Sequence, residues 1–279
     1  MNDYLRAVIL GIIEGLTEFL PVSSTAHMRI VEPLLGIELE DPYWKMFTVV
    51  IQLGAILSVI VFFWSRLLNF VRTFPRGSEG RHTMLTHPLS LVMIAFVCTA
   101  VPSFLLSKKI DKALESLVVI GSSLVIGGII MWVVDVLLRK PKIERVEDMK
   151  TLDAIGIGVA QIFSAVFPGT SRSMATIAAG QMFGLSRQAA LDFSFFLAIP
   201  TMVAATGYSL LKYLRGKEAA VPMDGHKWVV LAIGFVVSFV VALAVVKWFT
   251  TWVKRRGFVP FAIYRIVLGV AVLVWAFKG

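Results

Sequence analysis

The sequence predicts an all-α, polytopic membrane protein with six transmembrane helices plus two re-entrant helix-turn-helix hairpins, arranged as an inverted repeat. Three observations predict it. Of 279 residues, 57% are hydrophobic and 16% charged, against roughly 25% charged in an ordinary soluble domain. Six apolar runs are long enough to cross about 30 Å of hydrocarbon at about 20 residues each. Two further apolar segments are broken by proline beside Ser and Thr clusters. Lipid cannot satisfy the backbone groups that such a break frees, so protein must enclose them.

The spans are expected near residues 45–65, 88–107, 117–138, 189–211, 228–249 and 257–277. Trp64, Trp132, Trp228, Trp248 and Trp252 fall near their ends, as interfacial aromatics do. Cys98 lies inside an apolar run and reads as a small buried hydrophobe. Asp3 and Arg6 precede a short apolar stretch that runs into Glu14 and Glu18 with no small-residue cleavage pattern. The N-terminus therefore reads as part of the mature protein. One membrane domain is expected over residues 1–279.

The net charge of +9 does not indicate nucleic acid, because the Lys and Arg residues lie between apolar runs and not on one face or in a tail. They read as topology signals. Three connections are expected inside: the one with Arg66, Arg72, Arg76 and Arg81, the one with Arg139, Lys140, Lys142, Arg145 and Lys150, and the one with Lys247, Lys254, Arg255 and Arg256. That leaves residues 108–116 (Lys108, Lys109, Lys112) and 212–227 (Lys212, Arg215, Lys217, Lys227) outside, the latter a basic segment for an outer loop.

The two broken segments cover residues 11–27 and 158–173. Laid over each other, they match at Gly11 with Gly158, Glu14 with Gln161, Pro21 with Pro168 and Ser24 with Ser171, a constant offset of 147. This reads as an internal repeat, with copies at about 1–140 and about 150–279. Three spans follow each hairpin, an odd number, so the second copy runs inverted and the broken helices meet near the midplane.

Glu14 and Glu18 are four apart, so a helix projects both carboxylates from one face. In hydrocarbon they need a polar cavity or a cation. Facing a diphosphate, two hard oxygen ligands suit Mg2+ or Ca2+; the plain alternative is a pair of interfacial carboxylates. The turn at Pro21, Ser23, Ser24 and Thr25 offers hydroxyls and amides at a helix start, suited to an anion or to an ordinary cap. His27 shares a helical face with Ser24 and can serve as base or nucleophile, or stand as an interfacial polar residue. Thr170-Ser171-Arg172-Ser173 repeats the arrangement with a guanidinium. It outlines a phosphate cradle, against the alternative of a snorkelling arginine.

The run Glu14-Gly-Leu-Thr-Glu18-Phe-Leu-Pro21-Val-Ser-Ser24-Thr-Ala-His27, with Pro168-Gly-Thr-Ser-Arg172-Ser and Phe258-Val-Pro-Phe-Ala-Ile-Tyr-Arg265, closely resembles the bacitracin-resistance type of undecaprenyl pyrophosphate phosphatase. The resemblance covers essentially the whole chain. It implies a bacterial inner-membrane hydrolase that removes the terminal phosphate of undecaprenyl diphosphate, a long-chain polyprenyl lipid carrier of peptidoglycan synthesis. Its site would open to the periplasmic or outer face. It further implies catalytic roles for Glu14, Glu18, Ser24, His27 and Arg172, with Glu14 and Glu18 as ligands of a divalent cation. Substrate contacts would come from Ser23, Thr25, Gln161, Ser171, Arg172, Ser173 and Thr176. Ala26 and Met174 stand where the family usually has glycine. A lipid-carrier flippase or transporter is the rival class, since it shares the inverted broken-helix design. Hydrolysis needs Ser24, His27 and Arg172 together with two carboxylates, whereas carriage does not. The sequence leaves a homodimer open.

Overall fold

The computed structural model describes residues 2–77, 80, 82–113, 116–214 and 223–278. In chain order the helices are α1 (Asp3–Thr17), α2 (Ser24–Leu34), α3 (Pro42–Phe62), α4 (Trp64–Thr73), α5 (Pro88–Ala113), α6 (Leu117–Leu137), α7 (Thr151–Val166), α8 (Arg172–Met182), α9 (Arg187–Leu214), α10 (Gly225–Arg256) and α11 (Val259–Lys278). Among the described residues, α3, α5, α6, α9, α10 and α11 are long and apolar enough to cross a membrane. They lie where the hydropathy predicts six spans.

Three boundaries differ most from expectation, one of them the end of α10, which runs as helix to Arg256 through the basic connection expected after residue 249. The first span stops at Phe62, because the backbone leaves the helix at Phe63 (φ −99°, ψ 16°) and Trp64 opens a separate helix. That helix, α4, buries only Phe70 and carries Arg66 and Arg72, so its composition had read as a loop. The second span continues as helix to Ala113, through most of the expected 108–116 connection. Arg81, Arg215, Lys217 and the side chains of Lys108, Lys109 and Lys112 lie outside the described residues.

The helices divide into two compact units. The first comprises Met1–Phe19, Ser24–Phe62 and Ala198–Trp248. Lipid tails are as apolar as leucine, so helices in a membrane associate through close packing and small residues. In this unit α1 and α3 both press on α10 through glycine. A Cβ at Gly11 would lie 2.8 Å from the Gly234 carbonyl oxygen, one at Gly15 2.8 Å from that of Ser238, and one at Gly54 2.5 Å from that of Phe235. Ser238 Oγ donates to the Ile51 carbonyl at 2.9 Å, tying α10 to α3. Trp44 and Phe47 stack edge to face in a core with Leu10, Ile51 and Val230. At one end Arg6 Nη2 donates to the Gly36 carbonyl (3.2 Å), so the α1–α2 pair finishes beside its own start.

The second unit comprises Leu20–Ser23, Phe63–Leu197 and Phe249–Gly279. Here α6 and α11 cross through a reciprocal contact: a Cβ at Gly121 would meet the Gly269 carbonyl oxygen at 3.1 Å, and one at Gly269 would meet that of Gly121 at 2.8 Å. α7 presses on α5 through Gly158, whose Cβ would fall 2.4 Å from the Ala95 carbonyl oxygen, and Thr99 Oγ1 donates back to the Gly158 carbonyl (2.7 Å). α7 and α8 also form a pair that finishes where it starts, since Lys142 N–H donates to the Gly184 carbonyl and Ser186 N–H to that of Ile143, both at 2.8 Å. At the same end Asp135, buried at the foot of α6, accepts from Arg187 Nε (2.7 Å) and from the Phe258 amide (3.0 Å). Arg66 bridges Glu147 and Asp192 there.

Candidate active site

The first break follows from chemistry that a helix cannot continue through. Pro21 has no N–H to donate, and Val22 N–H closes a tight turn on the Leu20 carbonyl (2.7 Å). Ser23 then adopts φ +73°, and α2 starts at Ser24. Glu14 and Glu18 are both buried, and their carboxyls hydrogen-bond to one another. Ser24 Oγ donates to Glu18 Oε2 at 2.5 Å, while Glu14 Oε1 is buried without a hydrogen-bond partner. Two carboxylates this close and this dry repel, which favours a bound cation. Thr25 and His27 are half-buried in the first turn of α2, with His27 one turn on from Ser24.

From its proline to its left-handed serine the second break is one residue longer. Gly169 takes φ +91° and sits so close to α6 that a Cβ would lie 2.6 Å from the Ile120 carbonyl oxygen. Ser171 takes φ +69° and caps α8, its Oγ accepting from Met174 N–H (3.3 Å). Among the described residues, Ser23 and Ser171 are the only non-glycine residues with left-handed φ. Each such residue costs about 1–3 kcal/mol and persists only where its surroundings enforce it. By conformation, then, Ser171 corresponds to Ser23, 148 positions earlier, where the overlay at offset 147 had paired it with Ser24.

The hydroxyls of the second break are organised by their single protons. Ser173 Oγ donates to the Leu20 carbonyl (3.0 Å), which leaves Ser171 Oγ to donate to Ser173 Oγ (3.0 Å). Arg172, first residue of α8, is half-buried and donates through Nη1 to the Ser194 carbonyl (3.0 Å). Thr176 Oγ1 bonds Ser194 Oγ at 2.7 Å, and Gln161 is buried on α7. The structure thus gathers Glu14, Glu18 and Ser24 in the first unit, and Ser171, Ser173 and Thr176 around Arg172 in the second.

One residue of this framework enters the sequence reading only as the end of the third matching run, with no role assigned to it. Arg265, on α11, is 0% exposed. Its Nη1 donates to the Pro21 carbonyl (3.1 Å), and its Nη2 approaches the carbonyls of Thr170 (2.9 Å), Gly169 (3.0 Å) and Ser123 (3.2 Å). Within the second unit both proline turns therefore converge on one guanidinium. The available signal was a lone arginine inside an apolar span, which lipid penalises heavily. Gly127 makes the room, since a Cβ there would come within 2.4 Å of Nη2. Met174 lies against the same glycine and fills space beside the turn.

An apolar cleft of about 770 Å3 runs from this region, lined by Ile126, Gly127, Phe163, Phe167, Thr170 and Met174 among others. Ile126 and Phe163 are each 58% exposed at its mouth. No group of three or more His, Cys, Asp or Glu side chains is placed to hold a metal among the described residues. A cation at Glu14 and Glu18 would take its remaining ligands from substrate oxygens and water.

A family model described as bacitracin resistance protein BacA matches residues 7–271. The chain is 60% identical, over all of both chains, to the undecaprenyl-diphosphatase of Koribacter versatilis. It is 44% identical to undecaprenyl-diphosphatase 2 of Paramagnetospirillum magneticum, covering 97% of this chain and 98% of that one. It is 42% identical to the undecaprenyl-diphosphatase of Caldanaerobacter subterraneus, covering 98% and 96% respectively.

The buried carboxyl pair makes a stability prediction. In chelator, Glu14→Gln should raise the thermal midpoint of the detergent-solubilised protein, because it removes one of two close, buried carboxylates. The relief expected from removing one of two close like charges is about 1 kcal/mol or more. An unchanged or lowered midpoint removes the repulsion.

Proposed function

The chain belongs to the bacitracin resistance protein BacA family, and from that premise we infer that it is an undecaprenyl-diphosphate phosphatase. It hydrolyses undecaprenyl diphosphate to undecaprenyl phosphate and inorganic phosphate, returning the lipid carrier to peptidoglycan synthesis. Identity of 60% along the full length of an undecaprenyl-diphosphatase carries the reading. The chemistry of the two proline breaks supports it. Release of inorganic phosphate from a long-chain prenyl diphosphate by the purified protein tests it, and no release above background overturns it.

Phosphoryl transfer mostly needs charge neutralised and groups held in line. In the proposed mechanism Glu14 and Glu18 hold a divalent cation, Mg2+ or Ca2+; the unpartnered Glu14 Oε1 beside the Glu18 carboxyl fits that role. Such a cation would supply charge neutralisation to the diphosphate oxygens. Arg172 grips those oxygens in two-pronged fashion, and the hydroxyls of Ser171, Ser173 and Thr176 turn from their internal partners to the phosphate when substrate binds. Ser23, Thr25 and Gln161 complete the polar contacts. Ser24 Oγ attacks the terminal phosphorus, its new O–P bond forming as the bridging P–O bond breaks and undecaprenyl phosphate leaves. Its proton passes to Glu18, and the short Ser24–Glu18 hydrogen bond supports that assignment. Water, deprotonated by His27, then attacks the phosphorus of the phosphoserine; the Ser24 O–P bond breaks, Glu18 returns the proton to Ser24 Oγ, and inorganic phosphate leaves. The apolar cleft that reaches Thr170 suits a hydrocarbon tail.

The setting is proposed to be the bacterial inner membrane, with the site open to the periplasmic or outer face. Support comes from the second unit, where Thr151 bonds Leu85 and Arg66 bonds Glu147, and where Gly257 abuts Asp135. The basic connections around 66–86, 139–150 and 254–256 thereby gather at one end, which the positive-inside rule makes cytoplasmic. The helix pairs α1–α2 and α7–α8 each finish beside their start, which supports re-entrant hairpins. α1 seats its glycines on α10 as α7 seats its own on α5, which supports two copies at about 1–140 and about 150–279.

Chelator should lower hydrolysis on the order of 100-fold, with Mg2+ or Ca2+ restoring it; undiminished turnover in chelator ends the metal role. Arg172→Lys should fail nearly as badly as Arg172→Ala, on the order of 100-fold in kcat/KM or about 2.7 kcal/mol. Retention of most wild-type turnover by the lysine variant would demote Arg172 to a helix-end residue. For orientation, Arg76→Cys in a Cys98→Ser background should resist a membrane-impermeant thiol reagent applied to intact cells. Labelling from outside inverts the topology.

A further inference from the structure

We propose that Arg265 is a positioning residue of the phosphatase site: its buried guanidinium draws the carbonyls of both proline turns inward and so turns the Ser171 amide outward as a phosphate ligand. The proposal rests on the phosphatase reading and adds a residue that does not itself touch substrate.

Arginine in a membrane helix ordinarily snorkels to the interface or pairs with a carboxylate. Arg265 does neither. It is 0% exposed, and its hydrogen bonds go to four backbone carbonyls, those of Pro21, Ser123, Gly169 and Thr170. Among the described residues no carboxylate lies within ion-pair distance of it. Carbonyl dipoles solvate the charge without cancelling it, so a net positive field remains beneath both turns. Holding an uncompensated charge in such a place is costly, and three of its four acceptors belong to the two turns.

The direction of those carbonyls fixes what faces the other way. A trans peptide is planar, so its N–H points opposite to its C=O. With the carbonyls of Pro21, Gly169 and Thr170 aimed at Arg265, the amides of Val22, Thr170 and Ser171 point away from it. Two of the three are already spent: Val22 N–H donates to the Leu20 carbonyl (2.7 Å) and Thr170 N–H to that of Phe167 (3.1 Å). Ser171 N–H has no acceptor among the described residues. It stands at the start of α8, between φ +91° at Gly169 and the capping hydroxyl at Ser171. Successive N–H groups in such a turn make an anion-binding concavity, and the charge behind the Thr170 carbonyl polarises the peptide that supplies one of them.

The test uses the full chain in detergent with a prenyl diphosphate substrate, and reads kcat, KM and the inhibition constant of inorganic phosphate. Arg265→Lys keeps the charge but loses the fork that spans two turns. Gly127→Ala keeps the arginine and displaces it, because the added Cβ would fall 2.4 Å from Nη2. In the monodisperse fraction both variants should lose kcat on the order of 100-fold, the scale of one lost oxyanion donor. Phosphate inhibition should weaken about 10-fold alongside, with KM moving less than kcat. A role confined to holding the fold would lower the yield of monodisperse protein and leave those constants at wild-type values, and that result overturns the proposal. So does failure of both variants to fold, which would make Arg265 a folding residue only. If the wild-type protein releases no phosphate, it is the phosphatase reading that fails.

Discussion

The second unit depends on one constraint, the solvation of a broken backbone where no water is available. A helix interrupted inside a protein leaves carbonyls that water cannot reach, and Arg265 satisfies those of Pro21, Gly169 and Thr170 from a single fully buried guanidinium. The Ser173 hydroxyl takes a further one, that of Leu20. Because acceptor and donor are each too costly to leave alone, neither turn can relax without stranding the other's partner. The left-handed serines at positions 23 and 171 are held by this mutual demand.

Glycine carries the rest of the assembly. Gly11, Gly15 and Gly54 in the first unit, and Gly121, Gly158 and Gly269 in the second, all face a neighbouring backbone that a methyl group would strike. Apolar side chains gain little from leaving lipid for protein, so the helices gain by bringing main chains together. Within the second unit the ion pairs gather at one end, where Asp135 holds Arg187 and the Phe258 amide, and Arg66 holds Glu147 and Asp192.

Much of this was legible in the sequence. Span length and hydropathy are one-dimensional properties, so α3, α5, α6, α9, α10 and α11 could be read directly. The proline breaks could be read as well, since proline removes a donor wherever it sits. α4 could not, because ten residues with two arginines carry too little apolar signal to separate a surface helix from a loop. The pairing of Ser24 with Glu18 spans a turn whose course depends on φ at Ser23, which composition does not encode. Arg265 escaped for a related reason. Its partners are carbonyls, identical in every residue, brought together from positions 21, 123, 169 and 170. A carboxylate partner would have left a trace in the sequence, and a carbonyl leaves none.

The cleft bordered by Ile126, Phe163 and Met174 opens through side chains that the bilayer itself would wet. A tail entering there travels in two dimensions and never crosses an aqueous phase. Its encounter rate is set by mole fraction within the membrane or micelle, and bulk molarity is the wrong axis for its kinetics. Adding inert detergent at fixed total substrate would slow turnover simply by spreading the same lipid over more surface.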